Sequence, residues 1–225
     1  MLEAKKSYWF EQIFAVYNRN LIKRRFASLN ISNLDVLQSF NHEFPLIIYA
    51  NHSSWWDGLV AFQVSRTARL NSYVMMEEKH LKRFFLFRLL GAFSVVRENP
   101  REALKTIEYA AGLLTENSDK TLWIFPQGEI LPNDRRPVIF YHGFSRIIAK
   151  TDKCFVLPLA IRYEFQGEYK PEIFVNIGNA EFIKPDENFN IKKRTKFFAE
   201  NLTVVLDELK SDILNKNLAE YRKIV

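Results

Sequence analysis

The sequence predicts a single α/β domain with a central mixed, mostly parallel sheet covered by helices. Apolar runs of strand length alternate with stretches of helical spacing through the middle of the chain, which is the pattern of strands joined by helices. The 225 residues fit one domain, and no linker, repeat or low-complexity segment divides them. We therefore expect one domain over residues 1–225, with an N-terminal helix within 1–35, a core over 44–183 and a C-terminal helix within 187–225.

The N-terminal pattern over residues 7–28 is that of an amphipathic helix. Aromatic and aliphatic residues recur at helical spacing, and a cationic run of Lys23, Arg24 and Arg25 lies close to the end of the segment. A basic, aromatic-rich helix of this kind can lie in the interface of a membrane. It can equally dock on its own domain, and both interpretations stay open at this point.

The other elements follow in order from the apolar runs and the helix start signals. Residues 44–50 form the first predicted strand, and Ser53 or Ser54 is the expected N-cap of the helix after it. Residues 79–90 are both cationic and strongly apolar, which suits either an interfacial element or an amphipathic core helix. Further strands are expected at 70–76, 92–96, 122–125, 155–165 and 172–182, and further helices from Asn99, Gly143 and Ile191.

The chain is basic and rich in aromatic residues. Its net charge of +6 and its pI of about 9.3 favour an anionic partner, such as a phospholipid surface, a nucleotide-bearing cofactor, an acidic carrier protein or nucleic acid. Its 20 Phe residues indicate an apolar groove or a lipid-facing surface beside the core. A nucleic-acid partner is not expected, because the sequence has no helix-turn-helix, zinc-finger, RNA-recognition or KH pattern.

The cysteine count and the hydropathy exclude several other classes. The single cysteine, Cys154, rules out an internal disulfide and is expected to be an inert packed thiol in a buried strand. No His/Cys cluster has zinc spacing, and no stretch reaches the ~18–20 apolar residues of a membrane span. Charges interrupt the apolar runs near the N-terminus, unlike in a signal peptide. We expect a cytoplasmic protein without a metal, peripheral to the inner face of the membrane.

Residues 51–57, Asn-His-Ser-Ser-Trp-Trp-Asp, are the candidate catalytic segment, because they directly follow a predicted buried strand. If His52 lies on the loop and Asp57 one turn inside the next helix, Asp57 can hold Nδ1–H and leave Nε2 free to take a proton. The spacing alone is weak, since about one chain in seven of this composition shows it by chance. The alternative is a capping or buried polar histidine.

Later segments of the chain combine with residues 51–57 into a recognisable set of sequence motifs. In order, they are Gly91 to Arg97, Phe125-Pro126-Gln127-Gly128-Glu129-Ile130, Phe140 to Phe144, and Val156 to Ile161. Together with residues 51–57 they resemble the glycerolipid acyltransferase family, of the lysophosphatidic acid acyltransferase type. The resemblance covers about residues 44–163, and the first block matches most closely.

The resemblance implies a glycerol-3-phosphate acyltransferase-like fold and transfer of a fatty acyl group to a hydroxyl of a lysophospholipid or related lipid. The co-substrate would be acyl-CoA or acyl-carrier protein, with no bound cofactor. His52 would be the general base, oriented by Asp57. The acceptor-binding residues would be Arg97, Gln127, Gly128 and Glu129, and the oxyanion or turn residues would be Phe125, Pro126 and Gly128.

The third block departs from the family pattern. Gln127, Glu129 and Ile130 stand where the family has Glu, Thr and Arg, and the family associates that Arg with the acceptor phosphate. Arg135 and Arg136 either replace it as secondary phosphate contacts or are solvated loop residues. Beside a lysophospholipid, this departure makes plausible a neutral or zwitterionic acceptor other than plain lysophosphatidic acid, such as a glycolipid, lipoamino acid or hydroxylated terpenoid. The alternative is a non-catalytic lipid-binding relative.

Overall fold

The computed structural model of the chain describes residues 1–40, 43–116, 119–167, 169–184 and 190–225. Its α-helices are α1 (Tyr8–Arg25), α2 (Leu34–Gln38), α3 (Asp57–Ala68), α4 (Glu78–Arg83), α5 (Pro100–Glu116), α6 (Gly143–Lys150) and α7 (Ile191–Leu214). Its strands are β1 (Leu29–Ser32), β2 (Leu46–Ala50), β3 (Asn71–Glu77), β4 (Ala92–Val95), β5 (Lys120–Ile124), β6 (Cys154–Glu164), β7 (Glu172–Ile177), β8 (Glu181–Ile183) and β9 (Arg222–Lys223). A 3-10 helix, Phe85–Leu90, lies between α4 and β4.

The strands form one mixed, mostly parallel sheet, which confirms the predicted fold class. Their order is β4-β3-β5-β2-β6-β7-β1-β9, and β8 pairs with β6. Strands β4, β3, β5, β2 and β6 all run parallel to one another, whereas β7 runs antiparallel to β6. The carboxyl ends of β2, β3, β4 and β5 therefore meet at one edge of the sheet, where α/β proteins place their binding sites.

Helices cover both faces of the sheet, and strand residues alternate between the two cores. On β2, Ile47 and Tyr49 pack with residues of α5, α6 and α7, whereas Leu46 and Ile48 pack with residues of α1, α2 and α3. Burial on both faces explains why β2 is a continuous apolar run in the sequence. Cys154 lies in the first of these cores, where burial raises the pKa of its thiol to about 12. It is thus a packed, protonated thiol, as expected.

Helix α1 docks on the domain and still exposes an apolar stripe. Its residues Asn18 and Ile22 are buried, and Nδ2 of Asn18 donates to the Leu59 carbonyl of α3 at 3.1 Å. Trp9 and Ile13 are 78% and 69% exposed. Docking on the domain therefore accounts for one face of the helix only. Within the residues that the structure describes, no helix is both long and apolar enough to cross a membrane.

The start of α3 differs from the sequence-based expectation. The helix begins at Asp57, and neither Ser53 nor Ser54 caps it. The roles are reversed, because the Asp57 carboxylate accepts hydrogen bonds from the main-chain N–H groups of both serines. This reversal folds the loop back over the helix start and brings the loop residues close to the carboxylate.

Two other segments also differ from expectation. The predicted strand 172–182 is two strands, β7 and β8, separated by residues 178–180; a Cβ on Gly178 would lie 2.8 Å from the Pro158 ring. Strand β1 and helix α2, within residues 29–38, were not predicted, because neither is long enough to show a clear period. The expected start of the C-terminal segment at residue 187 lies outside the described residues.

Candidate active site

The two candidate catalytic residues, His52 and Asp57, are in contact at the carboxyl end of β2. Nδ1 of His52 lies 2.8 Å from Oδ2 of Asp57, the first residue of α3. The His52 side chain is 25% exposed and lines a cleft, whereas the Asp57 side chain has no exposed surface. Since Nδ1 is engaged by the carboxylate, Nε2 is the ring nitrogen left for a ligand.

Four donors hold the Asp57 carboxylate. Besides His52, the main-chain N–H groups of Ser53 and Ser54 donate to Oδ2 at 2.7 and 2.8 Å. The hydroxyl of Tyr163 donates to Oδ1 at 2.6 Å. Such a set of donors suits a buried carboxylate in its ionised, acceptor-only form. An ionised Asp57 in turn makes Nδ1–H of His52 the donor of their shared hydrogen bond.

Tyr163 is a site residue that the sequence did not indicate. It lies near the end of β6 and is 106 positions from Asp57 in the chain. The two residues meet because β6 is paired in parallel with β2, which brings the last residues of β6 beside the segment that follows β2. No local spacing in the sequence predicts such a contact, because it depends on the order of the strands in the sheet.

The main chain of His52 is held by the loop that follows β5. Its N–H donates to Oε1 of Gln127 at 2.8 Å, and its carbonyl accepts from the N–H of Leu131 at 2.8 Å. Gln127 is only 7% exposed. We expected Gln127 to bind the acceptor, but its side-chain oxygen is used inside the protein, because a buried amide requires a hydrogen-bond partner. In this structure the oxygen is bonded to the main chain of His52, and the acceptor-binding role of Gln127 stays a prediction.

Arg97 and Gly128, both expected to bind the acceptor, are neighbours in the cleft. The Arg97 guanidinium lies 5.3 Å over the ring of Tyr141, and its Nη2 is 3.8 Å from Oε2 of Glu77. Gly128 has φ +70°, and a Cβ there would lie 2.5 Å from Nη1 of Arg97 and 2.9 Å from the Tyr141 ring. Glycine is therefore required both by the backbone conformation and by the close approach of Arg97.

Phe125, Pro126 and Gly128 form the turn that was expected to shape an oxyanion site. The Phe125 ring lies 4.9 Å from the His52 ring, centroid to centroid. The N–H of Gly128 donates to the Phe125 carbonyl at 3.0 Å, and Pro126 has no N–H. These contacts describe a turn that packs beside His52. The oxyanion role stays a prediction.

A cleft of about 850 Å³ joins these residues, within the ~300–1,000 Å³ typical of small-molecule sites. What we call the apolar wall consists of Phe14, Leu59, Phe62, Val74, Phe87 and Leu90. What we call the polar wall consists of Arg97, Glu129, Tyr141, His142 and Arg146. Since His52 lines the same cleft, a bound molecule can reach the ring while contacting both an apolar and a charged surface.

Arg135 and Arg136, for which secondary phosphate contacts and solvated loop charges were both left open, do not line this cleft. Arg136 pairs instead with Asp207 of α7. In the same loop, hydrogen bonds from Arg162 of β6 and Lys210 of α7 lower the pKa of Asp134 to about 2. These ion pairs fasten the loop to β6 and α7 and so account for the position of Arg136 outside the cleft.

The arginine of α6, Arg146, lines the cleft and was not predicted. Ile130 and Glu129 also line it and are exposed, so the departures of the third block lie on the accessible surface of the site. Within the described part of the chain, no three His, Cys, Asp or Glu side chains group together as a metal site would require.

The fold and the site define a class of protein: an α/β enzyme with a histidine–carboxylate pair at the ends of parallel strands, beside a partly apolar cleft. The model of the acyltransferase family matches residues 28–162, more than half of the chain. The chain belongs to this family and is an acyltransferase.

One solved structure with the same fold is the crystal structure of the 1-acyl-sn-glycerophosphate (LPA) acyltransferase, PlsC, from Thermotoga maritima. The TM-score is 0.64 at 17% identity, and the match covers 89% of this chain and 80% of that one. No curated protein sequence matches closely enough to add a further relative.

Proposed function

We propose that the chain transfers a fatty acyl group from a thioester donor, acyl-CoA or acyl-carrier protein, to a hydroxyl of a lysophospholipid or related lipid. The observation that carries the proposal is the His52–Asp57 pair, at 2.8 Å, on a cleft with an apolar wall. Membership of the acyltransferase family supports the reaction. PlsC, which shares the fold, is named for an acceptor of this class.

In the proposed reaction, His52 is the general base. Its Nε2 takes the proton of the acceptor hydroxyl while the oxygen forms a bond to the thioester carbon. The tetrahedral intermediate then breaks its C–S bond, and the leaving thiolate takes the proton from Nε2. The products are an ester and a free thiol, and His52 returns to its neutral state. Asp57 keeps Nδ1 as the protonated nitrogen and stabilises the transient imidazolium.

The apolar wall is the proposed site of the acyl chain. Its aromatic rings are in contact, since the centroid of Phe14 lies 5.0 Å from that of Phe62 and 6.0 Å from that of Phe87. Such a continuous apolar surface stabilises a hydrocarbon chain by removing it from water, at ~0.8 kcal/mol for each buried CH₂. Because Phe14 belongs to α1, the N-terminal helix helps to form this part of the site.

The polar wall is the proposed site of the acceptor headgroup. Arg97, Arg146 and Lys79 bring positive charge to the cleft, and Glu129 and Glu77 bring negative charge, with Glu77 paired to Lys79 and Arg97. Ile130, exposed at the cleft, adds no charge where the family carries an arginine. Because the two carboxylates offset most of this positive charge, the cleft suits a neutral or zwitterionic headgroup better than a doubly charged phosphomonoester.

We propose that the protein is cytoplasmic and binds peripherally to the anionic inner face of the membrane. Helix α1 packs against the 3-10 helix, whose Phe85 and Leu86 are 65% and 45% exposed. Cationic side chains flank both segments, including Lys82, Arg83 and Arg24, all exposed. Apolar rings with surrounding cations are the features that bind an anionic lipid interface.

The acyl-transfer experiment uses the purified full chain with palmitoyl-CoA or acyl-carrier protein and a panel of lysolipids. Thiol release and ester formation are measured together. We expect thiol release only with an acceptor present, and faster turnover of neutral or zwitterionic lysolipids than of lysophosphatidic acid. Preferred turnover of lysophosphatidic acid would contradict the acceptor assignment. Absence of transfer to every acceptor would favour the non-catalytic, lipid-binding alternative.

Membrane docking has its own test, the flotation of the protein with vesicles that contain anionic lipid. Replacing both Trp9 and Ile13 by serine should reduce the bound fraction several-fold, because these residues supply exposed apolar surface. The matched control is Leu214→Ser, which removes an equally exposed apolar residue from the end of α7. Equal loss in both variants, or no binding of the wild type, would refute docking through α1.

A further inference from the structure

We propose that Tyr163 is a positioning residue for the His52–Asp57 pair, fixing the carboxylate so that one oxygen faces the histidine and the other faces the tyrosine. The inference rests on the proposed function, since it assigns the orientation of the general base. It extends the pair to a chain of three side chains, Tyr163, Asp57 and His52, that spans from β6 to the cleft.

The geometry separates the two carboxylate oxygens of Asp57. Oδ2 accepts from His52 and from two main-chain N–H groups, and Oδ1 accepts from the Tyr163 hydroxyl at 2.6 Å. The short distance is typical of a hydroxyl that donates to a carboxylate. Because Asp57 has no exposed surface, water cannot take the place of a lost donor unless the surrounding residues rearrange.

The phenol group is suited to act as a permanent donor. Burial, with the Asp57 carboxylate beside it, raises the pKa of Tyr163 well above its ordinary value. The hydroxyl therefore keeps its proton over the pH range in which a histidine changes charge. It neither competes with His52 for a proton nor adds charge to the site.

Packing holds the Tyr163 ring in place. Its centroid lies 5.7 Å from that of Phe26, and Phe26 in turn lies edge-on to Trp56 at 5.0 Å. Phe26 is 5% exposed and follows the last residue of α1. With its ring fixed between β6 and these aromatic residues, the hydroxyl can direct Oδ1 and so set the rotation of the whole carboxylate.

Loss of the Tyr163 hydrogen bond would change catalysis through the charge of the Asp57 carboxylate. Without the Tyr163 donor, the negative charge of Asp57 is drawn to the oxygen that faces His52, and the carboxylate holds the imidazolium more firmly. The ring then stays protonated to a higher pH, where it cannot act as a base. The Asp57 carboxylate also loses its fixed rotation, and this slows the step in which the His52 ring must face the acceptor. Binding of the acceptor itself does not change.

The first experiment compares the pH dependence of kcat and KM in Tyr163→Phe and Tyr221→Phe. The second variant is the matched control, because Tyr221 also donates to a carboxylate, Asp212 at 2.9 Å, but outside the cleft. Loss of the hydroxyl at position 163 should lower kcat about tenfold, leave KM unchanged and move the acidic limb of the rate profile to higher pH. The control should match the wild type.

A double variant distinguishes positioning from mere packing. In the Asp57→Asn background, Tyr163→Phe should cause no further loss of kcat, because the carboxylate that it positions is gone. Multiplicative losses in the double variant, or a single variant whose acidic limb does not move, would overturn the proposal.

A second readout does not depend on acyl transfer. The titration of the His52 ring is followed by NMR in protein labelled at histidine nitrogen, with His52→Ala for assignment. The titration midpoint should rise in Tyr163→Phe and stay unchanged in Tyr221→Phe. A shifted midpoint in a protein without transferase activity would refute the proposed function and keep the positioning role. An active enzyme with no shift in either readout would refute the positioning role alone.

Discussion

The loops that follow β2 and β5 differ sharply, although they lie side by side at one edge of the sheet. In the first, residues 51–57, His52 faces the cleft, and Asp57 behind it is fully buried with four donors among the described residues. In the second, residues 125–130, Gln127 supports His52 from inside, while Glu129 and Ile130 stand exposed on the cleft.

This difference separates the chemistry from the selection of the acceptor. The first loop is closed by hydrogen bonds around Asp57, so a change there disturbs the reactive pair itself. At the exposed end of the second loop, the Leu131 N–H donates to the His52 carbonyl, and this main-chain hydrogen bond does not depend on the side chains of Glu129 and Ile130. The departures from the family at Glu129 and Ile130 therefore lie where sequence can vary without disturbing the base.

The largest expected effect within the first loop, after loss of His52 itself, is that of Asp57→Asn. The amide places an N–H₂ group where the carboxylate accepts hydrogen bonds, so the ring loses the acceptor that fixes its tautomer. We expect kcat to fall by about a hundredfold or more. Asp212→Asn is the matched control, since Asp212 accepts from a tyrosine outside the cleft. Equal kcat in the two variants would remove Asp57 from the mechanism.

A smaller effect is expected at Gln127, the residue through which the second loop supports the first. Gln127→Ala removes the acceptor for the N–H of His52, and kcat should fall about tenfold with little change in KM. Gln127→Glu keeps an acceptor oxygen and should retain most of kcat. If both variants instead raise the KM for the acceptor at unchanged kcat, then Gln127 binds the acceptor and the contrast between the loops fails.

The smallest effect is expected at the exposed end of the second loop. Ile130→Arg adds a guanidinium at the cleft, which should raise kcat/KM for lysophosphatidic acid several-fold and leave turnover of a neutral lysolipid unchanged. Ile139→Arg is the control, because Ile139 is similarly exposed but does not line the cleft. A large loss of turnover with every acceptor would show that this loop end also serves the chemistry.

The sequence predicted the features that depend on local pattern. Alternation of apolar runs and helical spacing was sufficient for the fold class, and the His52–Asp57 spacing required only a loop followed by a helix start. Tyr163 could not be found in this way, because strand order rather than spacing brings it to Asp57. For Arg135 and Arg136 the sequence left phosphate contacts and solvated loop charges both open, because a loop has no period from which side-chain direction can be inferred; in the structure they lie outside the cleft.

The most direct test of the account is the rate of acyl transfer by His52→Ala relative to the wild type, at equal folded concentration. Palmitoyl-CoA and the best acceptor of the panel are the substrates, and both thiol release and ester formation are followed. We expect a loss of about 10²–10⁴-fold in kcat with the fold intact, because the group that takes the hydroxyl proton is gone. Full activity in His52→Ala would contradict it.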